Sequence, residues 1–325
     1  MDDPFISVII LAYTRKDFLF DAIKSAINQT LNRNLYEIIV IKNFQDETID
    51  DFIRDNGITS VLSLDHSLGG KIRKGIELSR GEIIALLEDD DIFEKEKLSV
   101  VYEIFNKYPE VGYYHNRVEF IGNLETLNVI NSYSKFGLRN LHKYSGLIRP
   151  MSEERRLRKL AKLSIDWNNS SIALRKSHLV DSLPILGSLT LVTDGFIAYA
   201  AIMNSELIFI DEKPLTKVRI MKNDELHPRI DSDEYVKKIT KKQIEDYIKI
   251  INYFNRDRKN DLAVEQMSGY LNRKHLLMCF AGSNKGKHVF FRFLFLNHKC
   301  LVLSIKTIFK DRSVGLIDFI RFISE

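Results

Sequence analysis

The N-terminal part of the chain alternates between short apolar runs and stretches in which apolar side chains recur every three or four positions. The apolar runs are rich in β-branched residues and end in turn signals, so each is predicted to be a buried strand. They cover residues 5–13, 36–41, 60–64 and 83–87. The first run is almost uninterrupted, which is typical of a strand that is buried on both faces.

The stretches between these strands have helical periodicity. Apolar residues between Leu19 and Ile27 fall on one face of a helix, and further helices are predicted near residues 48–55 and 69–79. Strands that alternate with helices predict a mostly parallel, doubly wound α/β sheet. The first strand is followed by neither of the two common glycine-rich phosphate-binding signatures.

A run of four acidic residues, Glu88 to Asp91, directly follows the fourth apolar run. Open α/β sheets bind their ligands at the carboxyl edge of the strands. Adjacent carboxylates repel one another, and a set of ligands that are all oxygen atoms suits Mg²⁺ or Mn²⁺. An acidic turn that caps the next helix would have the same composition, so the run by itself leaves both interpretations open.

Four segments in this order resemble the family 2 glycosyltransferases with the GT-A fold: Ser7–Tyr13, Ala22–Thr30, Glu37–Val40 and Gly75–Asp91. The resemblance covers residues 5–220. It implies a GT-A catalytic domain over residues 1–222, a mostly parallel nucleotide-sugar-binding sheet flanked by helices. Its donor-binding half is expected at 1–120 and its acceptor half at 121–222.

The resemblance also implies roles for the acidic run. In that family the motif binds a divalent metal and the ribose of a nucleotide-sugar donor. Asp90 is then the ligand of Mn²⁺ or Mg²⁺, Glu88 the carboxylate on the ribose side, and Asp89 and Asp91 supports. The family more often has Asp at this position. Glu88 carries the same charge, and its side chain is one methylene longer.

Further donor-binding residues are expected at the ends of the first strands and at the start of the third helix: Ala12, Tyr13, Arg15, Asn43, Lys71 and Arg73. The family usually has paired aspartates where this chain has Lys42-Asn43, and the amide offers uncharged hydrogen bonds to a base. Either Lys71 or Arg73 takes the place of the family's arginine near the diphosphate. The alternatives are that Tyr13 is an amphipathic residue at the rim of the pocket, and that Lys71 and Arg73 belong to a solvated cluster of charges at the start of a helix.

The acceptor side is expected further along the chain. Residues 166–175 resemble the family's strand that lines the acceptor, which implies contacts by Trp167, Asn168 and Asn169. The same resemblance places Asp194 at the family's catalytic base, with Thr193 in place of the usual Glu. An inverting transfer needs one carboxylate to take the proton of the acceptor hydroxyl. A helix N-cap would also account for Asp194.

Composition adds constraints on location and partners. At 325 residues and 45% hydrophobic, the chain can bury a full core. Its two cysteines, Cys279 and Cys300, indicate no disulfide framework and fit a reducing compartment. The acidic start lacks a signal-peptide pattern, and no nucleic-acid-binding motif accompanies the net charge of +4. We therefore expect a cytoplasmic protein that does not bind nucleic acid.

Residues 223–325 are predicted to form a mostly helical, basic region. Within 266–310 there is no Asp or Glu, and the cations alternate with the aromatic run Phe290–Leu296. Arg292 and Lys299 interrupt any spanning segment, whereas a basic, aromatic amphipathic segment is typical of a helix in the membrane interface. Packing on the catalytic domain or in a homo-oligomer would account for the same apolar residues.

The sequence thus predicts a metal-dependent inverting glycosyltransferase that moves a sugar from a nucleotide-diphosphate donor to a glycan or lipid-linked acceptor at the inner face of the cell membrane. One alternative is a nucleotide-sugar-binding protein with degenerate catalysis, but Asp90 and Asp194 are both present. The other is a nucleotidyltransferase of related fold, which should carry a glycine-rich loop where this chain has Ala12–Arg15.

We expect the full chain to sediment with anionic liposomes at low salt, and a truncation ending at Glu265 to stay in the supernatant. Each cation near an anionic surface contributes on the order of 1 kcal/mol, so binding should weaken as salt rises. Co-sedimentation over a salt series measures this. If neither form sediments and the truncated form unfolds, the apolar residues belong to the protein core and the membrane hypothesis is wrong.

Overall fold

A computed structural model defines the architecture. It describes residues 3–13, 16–65, 67–122, 145–149, 165 and 167–220, and positions 242, 245, 246, 249, 250, 252 and 253. The chain divides into two units, Met1–Pro228 and Arg229–Glu325, and the sheet and the site belong to the first. The predicted C-terminal membrane segment lies outside the described residues.

One mixed sheet of nine strands organises the described part of the first unit. The strands are β1 Ile6–Ala12, β2 Tyr36–Lys42, β3 Thr59–Leu62, β4 Ile83–Glu88, β5 Ile92–Phe93, β6 Val111–Gly122, β7 Gly146–Ile148, β8 Ile172–Arg175 and β9 Leu207–Ile220. Their order across the sheet is β3-β2-β1-β4-β8-β6-β9-β5, and β7 pairs with β9.

The described part of the first unit also contains six α-helices: α1 Lys16–Ile27, α2 Glu47–Asp55, α3 Leu68–Leu78, α4 Lys97–Lys107, α5 Leu183–Leu186 and α6 Thr193–Met203. The strands and helices predicted from the hydrophobic pattern are confirmed up to the acidic run, with ends that differ by a residue or two. None of the helices in the described segments has the length and apolar character that a membrane span requires.

The first half of the sheet is parallel, as predicted. Strand β1 pairs in parallel with both β2 and β4, and β2 with β3. All seven residues of β1 are buried, which explains why its run is apolar except for Ser7, because helices cover both faces of such a sheet. The carboxyl ends of β2, β1 and β4, at Lys42, Ala12 and Glu88, therefore meet at one edge.

The tight turn before β4 depends on a glycine. A Cβ added at Gly81 would lie 2.6 Å from the backbone nitrogen of Ser7, so no larger residue fits there. The Ser7 hydroxyl accepts a hydrogen bond from Gly81 N at 2.8 Å and donates one to Glu37 Oε1 at 2.7 Å. These contacts bring the start of β4 against the start of β1.

The second half of the sheet mixes the two kinds of pairing, since β6 pairs in parallel with β9 but other pairs are antiparallel. Strand β8 is antiparallel to β4 and to β6, and β9 is antiparallel to β5 and β7. The strand expected over 166–175 is shorter, because Asn169–Ser171 forms a 3₁₀ turn and only Ile172–Arg175 is extended. Since β8 runs opposite to β4, this turn lies at the edge where β4 ends.

Candidate active site

The acidic run forms a tight, largely buried turn at the end of β4. Asp91 N donates to the carbonyl oxygen of Glu88 at 3.2 Å. Asp89, Asp90 and Asp91 are each at most 4% exposed, and Glu88 is half-buried. Burial disfavours isolated carboxylates, so the turn requires hydrogen-bond donors or cations close by.

Three carboxylates of this turn converge on one point. One oxygen each from Glu88, Asp90 and Asp91 lies within 4.8 Å of the others. We call these three residues the acidic cluster. A set of oxygen ligands on a half-buried strand end fits a hard divalent ion such as Mg²⁺ or Mn²⁺. The assignment of the metal to Asp90 and of the ribose to Glu88 stays a prediction within this cluster.

Asp89 points elsewhere. Its Oδ2 accepts the backbone N–H of Tyr13 at 2.7 Å, and this bond joins the end of β1 to the acidic turn. A charge-assisted bond of this length is among the stronger hydrogen bonds in proteins. Asp89 therefore holds the two central strand ends together.

Arg219, at the end of β9, lies against the acidic turn and was not found by sequence reasoning. Its backbone N–H donates to Asp91 Oδ1 at 3.1 Å and its Nε to the carbonyl oxygen of Asp90 at 3.2 Å. The guanidinium also stacks on Phe18, 4.2 Å from the ring centre. No motif marks this arginine in the sequence, because strand pairing alone brings it here.

A second cation, Lys97, is fully buried beneath the site. Its Nζ donates to Asn116 Oδ1 at 2.7 Å, Ser170 O at 2.5 Å and Thr216 Oγ1 at 2.9 Å. Burial lowers the pKa of the Lys97 ammonium well below its ordinary value, and the carboxylates of Asp91 and Asp211 act in the opposite direction. In the sequence this residue looks like any lysine at a helix start.

The structure separates the two cations that were alternatives for the donor diphosphate. Lys71 is 1% exposed, and its Nζ lies 3.8 Å from the centre of the Tyr13 ring. Arg73 is exposed and forms an ion pair with Glu77 at 2.7 Å. Lys71 is thus the cation that lies beside the end of β1, where Ala12 is fully buried. Arg15 lies outside the described residues.

Asn43 follows β2 at the same edge of the sheet. Its neighbour Lys42 is buried and forms an ion pair with Asp50 at 2.7 Å, and its Nζ also donates to Phe44 O at 2.8 Å. Asn43 is half-buried, and within the described residues its Oδ1 accepts no hydrogen bond. The residue after the second strand thus offers the hydrogen-bonding groups of an amide and carries no negative charge.

Asp194 lies in the first turn of α6 and is half-buried. Its Oδ1 accepts the N–H of Gly195 at 2.8 Å and its Oδ2 accepts the N–H of Asn168 at 3.1 Å. The N-cap residue of α6 is Val192, so Asp194 is not the N-cap, although its Oδ1 accepts an amide of the first turn. The carboxylate is instead held by donors from two different segments.

The three residues expected on the acceptor side occupy different positions. The Trp167 ring lies 5.8 Å from that of Phe120, centre to centre. Asn168 and Asn169 are buried, and their side chains contact carboxylates of the acidic cluster. Sequence reasoning missed this contact, because it joins residues that are far apart along the chain.

The sheet order and the acidic turn at its carboxyl edge define the GT-A class of fold. Two solved structures share it, each with a TM-score of 0.52. S. aureus TarS in complex with UDP is 14% identical, over 93% of this chain and 88% of that one. The mannosyltransferase PcManGT from Pyrobaculum calidifontis, in complex with GDP-Man and Mn²⁺, is 12% identical, over 96% and 89%.

The chain belongs to glycosyl transferase family 2, whose family model matches residues 7–176. An uncharacterized glycosyltransferase of Nostoc sp. is 28% identical over 129 residues, which are 38% of this chain and 39% of that protein. One of Methanocaldococcus jannaschii is 27% identical over 154 residues, 44% of this chain and 52% of that protein. The chain thus covers about half or less of these curated relatives.

We expect Asp90→Ala to weaken binding of Mn²⁺ and of a nucleoside diphosphate by about tenfold or more, since even outer partners of metal ligands are typically worth 10–100-fold. Calorimetric titration of the diphosphate with Mn²⁺ or with EDTA measures the effect. Asp51→Ala, which removes an exposed carboxylate of α2, is the matched control. Equal affinity for the wild type and Asp90→Ala, with and without metal, would exclude the metal site.

Proposed function

We propose that this chain is a metal-dependent inverting glycosyltransferase that transfers a sugar from a nucleotide-diphosphate donor to an acceptor hydroxyl. The observation that carries the proposal is the placement of Asp194 beside the acidic cluster, with Asn168 bonded to both. A metal-ligand set and a separate carboxylate at one sheet edge are the two elements that such a reaction requires. Membership of the family supports the same reaction.

The donor is proposed to bind along the carboxyl edge of β2, β1 and β4. Glu88, Asp90 and Asp91 would hold a divalent cation, which when bound would neutralise charge on the diphosphate. Lys71 lies beside Tyr13 and would contribute a further positive charge toward the diphosphate. The mannosyltransferase of the same fold contains GDP-Man and Mn²⁺, which favours this arrangement.

Asn43 is proposed to contact the nucleobase. Lys42 cannot take this role as a free cation, because its ammonium is bonded to Asp50 and to the carbonyl oxygen of Phe44. An amide presents both a donor and an acceptor to a base edge. Uracil and guanine both offer such an edge, so the chemistry of the pocket admits either base.

Asp194 is proposed as the general base. The acceptor oxygen forms a bond to the anomeric carbon while the bond from that carbon to the diphosphate oxygen breaks. The proton of the acceptor hydroxyl passes to the Asp194 carboxylate, and the nucleoside diphosphate leaves. One displacement with one base forms no covalent intermediate, so the anomeric configuration inverts.

The acceptor is proposed to be a glycan or a lipid-linked molecule at the cytoplasmic face of the membrane. The basic, aromatic segment near the C-terminus supports this, because it combines cations for anionic lipids with apolar residues for the interface. Trp167 is proposed to lie on the acceptor side.

A screen of UDP, GDP and dTDP sugars by thermal shift tests the donor. We expect at least one to raise the melting temperature with Mn²⁺ present and not with EDTA, because a ligand that binds only the folded state stabilises it by mass action. If none shifts the transition in the presence of Mn²⁺, the chain binds none of these three classes of donor, and the proposed binding of a UDP or GDP sugar fails.

We expect Asp194→Asn to lower kcat by roughly 10²–10⁴-fold, because the substitution keeps the shape and removes the proton acceptor. Donor binding and Mn²⁺ binding should not change. Asp181→Asn, an exposed aspartate in the same half of the domain, serves as the control and should match the wild type. A product of retained configuration, determined by NMR, would contradict the mechanism even if transfer were confirmed.

A further inference from the structure

Asn168 has a backbone conformation that asparagine adopts only under constraint. Its φ is +67° and its ψ is 109°, and among the described residues it is the one non-glycine residue with positive φ. The ψ value lies outside the left-handed helical region, which is the part of positive-φ space that asparagine tolerates best. Such a conformation persists only where several surrounding contacts determine it.

The contacts of Asn168 join two parts of the site. Its side-chain Nδ2 donates to Asp91 Oδ2 at 3.0 Å, and its backbone N–H donates to Asp194 Oδ2 at 3.1 Å. The residue is only 8% exposed. One residue thus contacts a carboxylate of the acidic cluster and the proposed base at the same time.

Asn169 makes a second bridge between the same two segments. Its Nδ2 donates to Glu88 Oε1 at 2.9 Å and lies 3.4 Å from Thr193 Oγ1. Glu88 is at the end of β4, and Thr193 begins α6. The two asparagines therefore connect the acidic run to the start of α6 twice: Asn168 through its side chain and its backbone N–H, and Asn169 through its side chain alone.

The turn that carries both asparagines is itself anchored. Ser171 Oγ donates to the carbonyl oxygen of Asn168 at 2.7 Å. Ser170 Oγ accepts the N–H of Glu88 at 3.0 Å, and the carbonyl oxygen of Ser170 accepts from the buried Lys97 at 2.5 Å. These bonds fix the backbone of the turn relative to the end of β4, and so they also fix the positions of Asn168 and Asn169.

We propose that Asn168 and Asn169 are positioning residues that set the distance between the acidic cluster and the Asp194 carboxylate. This inference rests on the proposed function and deepens it. The acidic cluster would hold the donor and Asp194 would deprotonate the acceptor, so the separation between them decides whether the attacking oxygen meets the anomeric carbon. The constrained backbone at Asn168 directs its side chain to Asp91 while its N–H faces Asp194.

Asn168→Gly separates this role from a merely structural one. Glycine has no side chain, so the variant loses the hydrogen bond to Asp91. Glycine also adopts positive φ without a steric penalty, so the backbone constraint is relieved. The lost hydrogen bond to the buried Asp91 carboxylate opposes the gain from the relieved backbone, so we expect a small change in melting temperature, with a kcat lower by about tenfold or more, since small misplacements of reacting groups cost up to about a hundredfold. The lost bond to Asp91, a member of the acidic cluster, is expected to weaken Mn²⁺ binding by about 10–100-fold at most, so kcat is measured at saturating Mn²⁺ and donor sugar, where the fall should persist.

Two further variants complete the test. Asn204→Gly changes an asparagine at the other end of α6, where its Nδ2 donates to Ala200 O and His178 O. It should leave kcat unchanged whatever its effect on the melting temperature. In the Asp194→Asn background, Asn168→Gly should cause no further loss of residual transfer, because its effect on the wild type passes through Asp194.

The possible outcomes are distinct. A wild-type kcat for Asn168→Gly overturns the inference and leaves the proposed function intact. A fall in kcat that disappears at saturating Mn²⁺ and donor sugar, or a full further loss in the Asp194→Asn background, also overturns it, because Asn168 then acts on the acidic cluster alone. A wild-type chain that transfers no sugar from any donor overturns the proposed function, and the inference with it.

Discussion

The site depends on how the charge of four adjacent carboxylates is compensated. Two unit charges 4 Å apart interact by about 4 kcal/mol at an effective dielectric constant of about 20, so a buried acidic turn needs specific partners. The N–H of Tyr13 bonds to the Asp89 carboxylate, and the backbone N–H of Arg219 bonds to that of Asp91. The guanidinium of Arg219 bonds to the backbone carbonyl oxygen of Asp90 and so brings a positive charge to the same turn. These partners come from distant parts of the sequence, so the position of each carboxylate depends on the assembled sheet.

The change from parallel to antiparallel pairing is what brings the second half of the domain to this edge. Strand β8 enters the sheet next to β4 in the opposite direction, and so the turn before β8 lies where β4 ends. Asn168 and Asn169 stand in that turn. Asp194, in the first turn of α6, accepts a hydrogen bond from the same turn. The acidic cluster and the proposed general base, Asp194, therefore lie at the same edge of the sheet.

Two departures from the usual family pattern have visible structural consequences. Lys42, where an acidic residue is usual, forms an ion pair with Asp50, so its charge is compensated within the second strand and the helix that follows. Thr193 stands where a glutamate is usual, is fully buried and lies 3.4 Å from Asn169 Nδ2. In this chain the Asp194 carboxylate accepts hydrogen bonds from the backbone N–H groups of Gly195 and Asn168, and Asn169 contacts the neighbouring Thr193.

The sequence by itself determined the strands and helices of the first half and the edge at which the acidic run lies, and its resemblance to the family supplied Asp90 and Asp194 as candidates. The spacing of apolar residues and the order of strands and helices along the chain can be read directly from the sequence, and the carboxyl ends of parallel strands lie at a common edge of the sheet. Tertiary structure alone decided that Lys71 rather than Arg73 lies beside Tyr13, and that Lys97, Arg219 and the asparagine bridges belong to the site. Asp91 is 77 positions from Asn168 and 128 from Arg219. Contacts over such separations depend on strand pairing, which no local pattern in the sequence encodes.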